Sequence, residues 1–195
     1  RELARRRAVL LQSSVVPFAY RAREIVLLGR LPHPDSGLDD WAVTRSLKRT
    51  ESITFSEQSY LTLSGGEKQR IQLSRVLCQL EGENGSSYML LDEPVTGLDI
   101  KHQLQMLEIA RSKADEGTGV FLILHDPGLA ARYADRISLL KEGTLQASGP
   151  PHMVLTRERL SELYDVRIHV FQNENGIQAI VPAGPSESNP GNRAE

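Results

Sequence analysis

The 195-residue sequence has no long apolar run and only one cysteine. Its longest apolar stretches, such as Val120 to Leu124, are too short to cross a bilayer, and its first residues are rich in arginine. We therefore expect neither a membrane span nor a secretion signal. Cys78 cannot form an internal disulfide, which fits a reducing compartment, and we interpret it as a small core residue.

A strong excess of either charge is also absent, since the formal net charge is −2 at pH 7. This balance gives no global attraction to nucleic acid. The basic cluster Arg1, Arg5, Arg6 and Arg7 is local, and a solvated helix face explains it. Mixed charge and moderate apolar content predict one soluble globular domain, or a domain with a small appendage.

A Gly-rich phosphate loop is the third absence. No G-x-x-x-x-G-K-[ST] string, whose backbone and lysine cradle nucleotide phosphates, occurs in the chain. The sequence begins with Arg1 rather than Met and enters a patterned region at once, so we expect an N-terminal truncation. In that case the absence of the loop belongs to the fragment and not to the parent protein.

Helical and extended patterns alternate along most of the chain. Strands are predicted at 8–11, 88–91, 120–124 and 137–140, and helices separate the last three, which implies a parallel α/β sheet with an antiparallel edge at 145–147. The patterns define five segments: residues 1–14, the end of a core strand with the loop at Gln12; 15–62, a helical insert; 63–150, an α/β core; 151–181, a helix and a terminal β-hairpin; and 182–195, a disordered tail.

The most informative string is LSGGEKQR at residues 63–70. Ser64 and Glu67 predict a capping box at a helix start. Gly65 and Gly66 leave backbone N–H groups exposed, and the helix dipole favours an anion, so the same helix start can bind phosphate without a lysine. A bare capping box is a weak signal, whereas the full string in this order is a strong one.

A second motif follows the strand at 88–91, where Asp92 and Glu93 precede Pro94. Ligands bind at the carboxyl ends of strands in open α/β sheets. Adjacent carboxylates are costly to bury unless they bind a cation or water. We expect Asp92 to hold Mg²⁺, directly or through water, and Glu93 to orient or deprotonate an attacking water. The alternative is an ordinary strand-to-turn boundary.

Three further side chains are candidates. Asp99 is placed to cap the helix that begins at Ile100. His125 ends the strand after the carboxylates, so we expect it at the same sheet edge, where it contacts a phosphate or the attacking water or is merely structural. Gln12 is either a ligand of Mg²⁺ or water, or a surface residue. The other histidines are scattered without ligand spacing, which argues against a metal or haem site.

Together these motifs resemble the nucleotide-binding subunit of ABC transporters, over nearly the whole chain up to about residue 151. The matches in order are Gln12 to the Q-loop, 63–69 to the signature motif, 88–93 to the Walker B strand with its catalytic glutamate, 96–99 to the D-loop, and His125 to the switch histidine. Chance agreement of five ordered motifs is remote. Val95-Thr96-Gly97 departs from the commoner Thr-Ser-Ala.

The resemblance implies a P-loop NTPase-like α/β fold with a parallel sheet and a helical subdomain at 15–62, and with the N-terminal β-subdomain and the P-loop missing. It implies ATP and Mg²⁺ as cofactors and a head-to-tail homodimer. It assigns these roles: Glu93 and His125 catalytic, Asp92 and Gln12 on Mg²⁺, Asp99 in the D-loop, and Ser64, Gly65, Gly66 and Glu67 on nucleotide in trans.

Residues 4–10, 28–34 and 129–135 look most like bacterial importers of haem and ferric siderophores. The resemblance thus implies the energy-coupling ATPase of a haem importer at the cytoplasmic face of the inner membrane, with permease subunits and, indirectly, a periplasmic haem-binding protein as partners and no nucleic acid. The alternatives are a ferric-siderophore or vitamin B12 importer, or a non-catalytic fragment unable to bind ATP alone. A chromosome-maintenance ATPase fits less well, since only about fifty residues separate Gln12 from Ser64.

Overall fold

The computed structural model describes residues 2–12, 16, 18–34, 37–82, 86–172 and 178–185. The chain divides into two compact units, Arg1–Leu124 and His125–Glu195. In the first unit the elements follow in the order α1 (Glu2–Arg6), β1 (Arg7–Leu10), α2 (Ala22–Leu27), α3 (Asp39–Arg49), α4 (Gly65–Leu80), β2 (Tyr88–Asp92), α5 (Ile100–Asp115) and β3 (Gly119–Ile123). Short 3₁₀ segments lie at Leu28–Arg30, Ile53–Phe55 and Tyr60–Thr62.

The strands of the first unit form a parallel sheet in the order β1-β2-β3. Leu10 pairs with Leu91, and Asp92 pairs with Ile123, so the carboxyl ends of the three strands reach one edge. Alternate residues of β1 and β2 are buried, as expected of a sheet face covered by helices. The parallel α/β sheet predicted from the sequence is confirmed.

The helical insert has its own apolar core. Residues from α2, α3 and α4 and from the 3₁₀ segments meet in one buried cluster: Ala22, Ile25, Val26, Ala42, Val43, Leu47, Phe55, Tyr60, Leu63, Ile71 and Cys78. Cys78 is free and buried, as predicted, and burial raises the pKa of its thiol to about 12. Because α4 contributes to this cluster and also contacts β1, it joins the insert to the sheet.

The second unit contains α6 (Pro127–Tyr133), β4 (Ile137–Lys141), β5 (Thr144–Gly149), α7 (Pro151–Val154), α8 (Arg157–Tyr164), β6 (Val166–Gln172) and β7 (Gln178–Pro185). β4 pairs with β5 and β6 pairs with β7, each as a separate antiparallel hairpin. Its buried core consists of Ile137, Leu139, Val154, Leu155, Leu160 and Ile168.

Two expectations about this unit were wrong, one about the sheet to which 137–140 belongs and one about where the disordered tail starts. The segment 137–140 was predicted to continue the parallel sheet, but β4 belongs to a separate two-stranded sheet with β5. Glu142 and Gly143 both have positive φ, 50° and 75°, which is the backbone of a tight two-residue hairpin turn. This turn brings β5 back alongside β4, so β4 pairs with β5 and not with the parallel sheet.

The predicted disordered tail starts too early. Residues 182–185 belong to β7, whereas 186–195 lie outside the described residues. Pro182 pairs with Ile168 next to a register shift in the β6–β7 ladder. Proline is tolerated at bulges and in edge strands because no ladder N–H is required there. The predicted loop at 173–176 also lies outside the described residues, and among those described no helix is both long and apolar enough to span a bilayer.

Candidate nucleotide site

The exit of β2 places Glu93 in an unusual backbone conformation. Its φ is 46°, in the left-handed region, which costs a non-glycine residue roughly 1 kcal/mol. The Glu93 N–H donates to the Ile123 carbonyl at 3.2 Å, and the Thr96 N–H donates to the Glu93 carbonyl at 3.3 Å. These two bonds hold the turn at the exit of β2.

The structure brings Gln12 and Glu93 together. Gln12 Nε2 donates to Glu93 Oε2 at 2.8 Å. This contact follows from the sheet register, because Leu10 pairs with Leu91 and each side chain lies two residues further along its strand exit. Thr96 Oγ1 donates to the same Glu93 oxygen at 3.3 Å. One carboxylate oxygen therefore accepts from two donors on different segments.

Asp92 and Gln12 have the donor chemistry for Mg²⁺. Asp92 is partly buried at the last position of β2, and the Gln12 amide lies at the same strand exit through its contact with Glu93. Carboxylate and amide oxygens suit Mg²⁺, which commonly takes one or two protein ligands and completes its shell with water and substrate phosphates. In the described part of the chain no three His, Cys, Asp or Glu residues gather as a metal cluster.

The start of α4 forms the predicted capping box. Ser64 Oγ accepts the Glu67 N–H at 3.3 Å, while Glu67 Oε2 accepts both the Ser64 N–H and the Ser64 hydroxyl at 2.8 Å. These hydrogen bonds from Ser64 hold the pKa of Glu67 below its ordinary value. A Cβ on Gly65 would meet nothing within 4 Å. A Cβ on Gly66, in contrast, would meet Leu98 Cδ2 at 3.3 Å, so the first turn of α4 is open at Gly65 and packed at Gly66.

Asp99 caps α5, as predicted. Its Oδ1 accepts the His102 N–H at 3.0 Å, and its Oδ2 lies 2.8 Å from His102 Nδ1. The hydrogen bonds to the His102 backbone and side chain hold the pKa of Asp99 below its ordinary value. No role for His102 is predicted from the sequence.

Two glutamines missed by the sequence analysis hold the loop between Glu93 and Asp99. Gln69 Nε2 on α4 donates to the Pro94 carbonyl at 3.1 Å. Gln103 Nε2 on α5 donates to the Leu98 carbonyl at 3.0 Å and approaches the Val95 carbonyl at 3.4 Å. Gln103 lies one helical turn beyond the Asp99 cap, so its position near this loop could have been predicted from helical spacing. No local signal links Gln69 to a loop 25 residues away.

His125 is the first residue of the second unit, two positions beyond the last residue of β3. It is exposed, and its carbonyl accepts from Tyr164 Oη at 3.3 Å. The following residue, Asp126, caps α6 by accepting the Gly128 and Leu129 N–H groups at 2.7 and 3.0 Å. Contact of the His125 ring with a phosphate stays a prediction.

Comparison with solved structures identifies the class of protein. An ABC transporter solved in an inward-facing conformation matches with a TM-score of 0.74 and 26% identity, covering 90% of this chain and 72% of that one. The parallel sheet, the capped glycine-rich start of α4 and the Asp92-Glu93 strand exit agree with this class. No family model matches the chain.

Curated relatives agree with this class. Hemin import ATP-binding protein HmuV of Plesiomonas shigelloides is 43% identical over 185 residues, which cover 88% of this chain and 71% of the relative. HmuV of Rhodococcus jostii is 39% identical over 185 residues, covering 93% and 62%. The chain belongs to the family of ABC-transporter ATP-binding subunits. It spans between about three fifths and seven tenths of the length of these two relatives.

Proposed function

We propose that the protein is the energy-coupling subunit of a bacterial ABC importer, and that it couples ATP hydrolysis to the import of haem. The observation that carries the catalytic part is the Gln12–Glu93 contact, which sets an oriented carboxylate at the end of a parallel strand. The names of the relatives, hemin import ATP-binding proteins, support haem as the transported ligand.

Each site residue has a role in this proposal. Glu93 is the general base that takes a proton from the water attacking the γ-phosphate of ATP. Asp92 and Gln12 would hold Mg²⁺, which when bound neutralises charge on the phosphates. His125 contacts the γ-phosphate. The start of α4 supports its assignment to phosphate binding, because the first turn is open at Gly65 and the Ser64 hydroxyl becomes available to an anion when the Glu67 carboxylate rotates away from it.

The proposed assembly is a head-to-tail homodimer in which Ser64, Gly65 and Gly66 act on the nucleotide of the partner copy and Asp99 lies in the D-loop between the copies. We place it peripherally at the cytoplasmic face of the inner membrane, on permease subunits supplied by a periplasmic haem-binding protein. Apolar side chains of the helical insert support a docking role, since Leu27, Leu28 and Leu31 are 45%, 40% and 77% exposed. Nucleic acid is not among the proposed partners.

The substitution Glu93→Gln in the full-length gene product tests this function. We expect steady-state ATP hydrolysis to fall by about 10²- to 10⁴-fold with ATP binding retained, because the general base is removed while the phosphate contacts stay. Uptake of labelled hemin by cells should fall with it. Glu142→Gln is the matched control, since Glu142 has a similar φ of 50° in the β4–β5 turn. Normal turnover by Glu93→Gln would contradict the role.

The outcome also separates the competing functions. If Glu93→Gln abolishes uptake of a ferric siderophore or of vitamin B12 and leaves hemin uptake intact, that compound and not haem is the transported ligand. A second candidate, a non-catalytic half-site, is favoured by the absence of a Gly-rich phosphate loop from the 195 residues. It holds if the 195-residue chain alone neither binds nor hydrolyses ATP while the full-length product does both.

A further inference from the structure

We propose that Thr96 is a positioning residue that holds the carboxylate of Glu93 in its working orientation. The inference rests on the proposed role of Glu93 as general base. Thr96 makes two hydrogen bonds to Glu93: its N–H donates to the Glu93 carbonyl and its hydroxyl donates to Glu93 Oε2, both at 3.3 Å. One residue therefore fixes both the backbone turn and the side-chain end of the base.

The left-handed backbone of Glu93 makes this double contact feasible. A φ of 46° at Glu93 reverses the chain as it leaves β2, so that the residue three positions on faces the Glu93 side chain. Gln69 and Gln103 anchor the carbonyls of Pro94 and Leu98 on either side of Thr96. The hydroxyl is thus carried by a loop tied to two helices.

The Thr96 side chain does not serve packing, because residue 96 is exposed. Its hydroxyl also shares its acceptor with Gln12, whose Nε2 donates to Glu93 Oε2 at 2.8 Å from the segment after β1. Two donors on one oxygen restrict rotation of the carboxylate. A threonine suits this task because its branched Cβ limits χ1 more than serine does.

Such a role predicts a specific kinetic pattern. Orientation of a base affects the chemical step and leaves nucleotide binding unchanged, so loss of the hydroxyl lowers kcat but not the KM for ATP. A misplacement of 1 Å can cost about 10²-fold. We expect Thr96→Val, which keeps the shape and removes the donor, to lower kcat roughly tenfold because Gln12 still holds the carboxylate. Thr96→Ser, which keeps the donor, should restore most of the rate.

The experiment combines two measurements on wild type, Thr96→Val and Thr96→Ser, with Thr144→Val on exposed β5 as the matched control. On the 195-residue chain, three-bond NMR couplings of the Glu93 side chain report its rotamers without nucleotide. We expect one rotamer in wild type, Thr96→Ser and the control, and averaging in Thr96→Val. On the full-length product, kcat and KM are measured for the same set.

The NMR couplings test the role of Thr96 independently of the proposed ATPase function. Absence of turnover in wild type overturns the ATPase proposal, whereas the couplings still decide whether Thr96 orders Glu93. The inference is overturned if Thr96→Val keeps a single Glu93 rotamer, if it keeps the wild-type kcat, or if Thr96→Ser is as impaired as Thr96→Val.

Discussion

The two long helices of the first unit, α4 and α5, begin in nearly the same way and differ in one chemical detail. Each has 16 residues, and the N-caps Ser64 and Asp99 have φ, ψ of −62°, 162° and −69°, 163°. In both, the N-cap side chain accepts the N–H three residues on, and a carboxylate near the helix start has a lowered pKa. The two helix starts differ in which residue carries that carboxylate.

In α4 the cap is a neutral hydroxyl and the carboxylate belongs to Glu67, inside the first turn. Rotation of the Glu67 side chain removes this negative charge without uncapping the helix. In α5 the carboxylate of Asp99 is itself the cap and is paired with His102, and the next residue, Ile100, is 75% exposed where α4 has a glycine. Phosphate binding at the start of α4, as proposed, requires the Glu67 carboxylate to move away, whereas the Asp99 carboxylate cannot move without uncapping α5.

Among changes to these two helix starts, the largest expected effect comes from giving α4 the cap of α5 with Ser64→Asp. Aspartate caps as well as serine, but it places a second carboxylate beside Glu67 Oε2, which accepts the Ser64 hydroxyl at 2.8 Å in the wild type, so the thermal stability should fall slightly. ATP hydrolysis by the full-length product should fall by at least roughly tenfold, because a fixed carboxylate repels the phosphate.

Thr156→Asp is the matched control for that exchange, since Thr156 Oγ1 caps α8 through the Arg159 N–H at 3.4 Å. It should alter neither stability nor turnover. Unchanged hydrolysis in Ser64→Asp would show that the start of α4 is a cap and nothing more.

A smaller effect is expected from Gly65→Ala. A Cβ at this position meets nothing within 4 Å, so the substitution should stabilise the helix by about 0.5–1 kcal/mol through the unfolded state. The added methyl covers exposed N–H groups, so hydrolysis should fall a few-fold. Ile100→Ala at the equivalent position of α5 should leave hydrolysis unchanged. A Gly65→Ala variant that is more stable and fully active would show that hydrolysis does not require a glycine at this position.

The sequence allowed much of this region to be predicted, because its signals are local. The Ser64–Glu67 and Asp99 caps depend on residues three positions apart, and parallel strands deliver Gln12 and Glu93 to one edge whatever the details of the helices. The same locality explains why the strand at 88–91 and the buried Cys78 were placed correctly.

The unpredicted features depend on tertiary placement. Gln69 meets Pro94 only because α4 packs beside the strand exit, and Thr96 faces the Glu93 carboxylate only because Glu93 has a left-handed backbone. The sheet that β4 joins is likewise a tertiary choice, since an apolar strand fits a parallel sheet or a hairpin equally well. A local pattern therefore predicts that a segment is a strand but not the strand with which it pairs.

The most direct test of the account is a carboxyl ¹³C titration of Glu67 and Asp99 in the full-length product, with and without a non-hydrolysable ATP analogue. In the free protein both pKa values lie below the ordinary ones, so each carboxylate stabilises the fold at neutral pH and loses that effect as the pH falls through its folded-state pKa. With nucleotide bound, the pKa of Glu67 should rise, because phosphate takes its Ser64 donors and adds negative charge nearby, while that of Asp99 stays in place. A Glu67 pKa that does not move in the nucleotide complex would contradict the account.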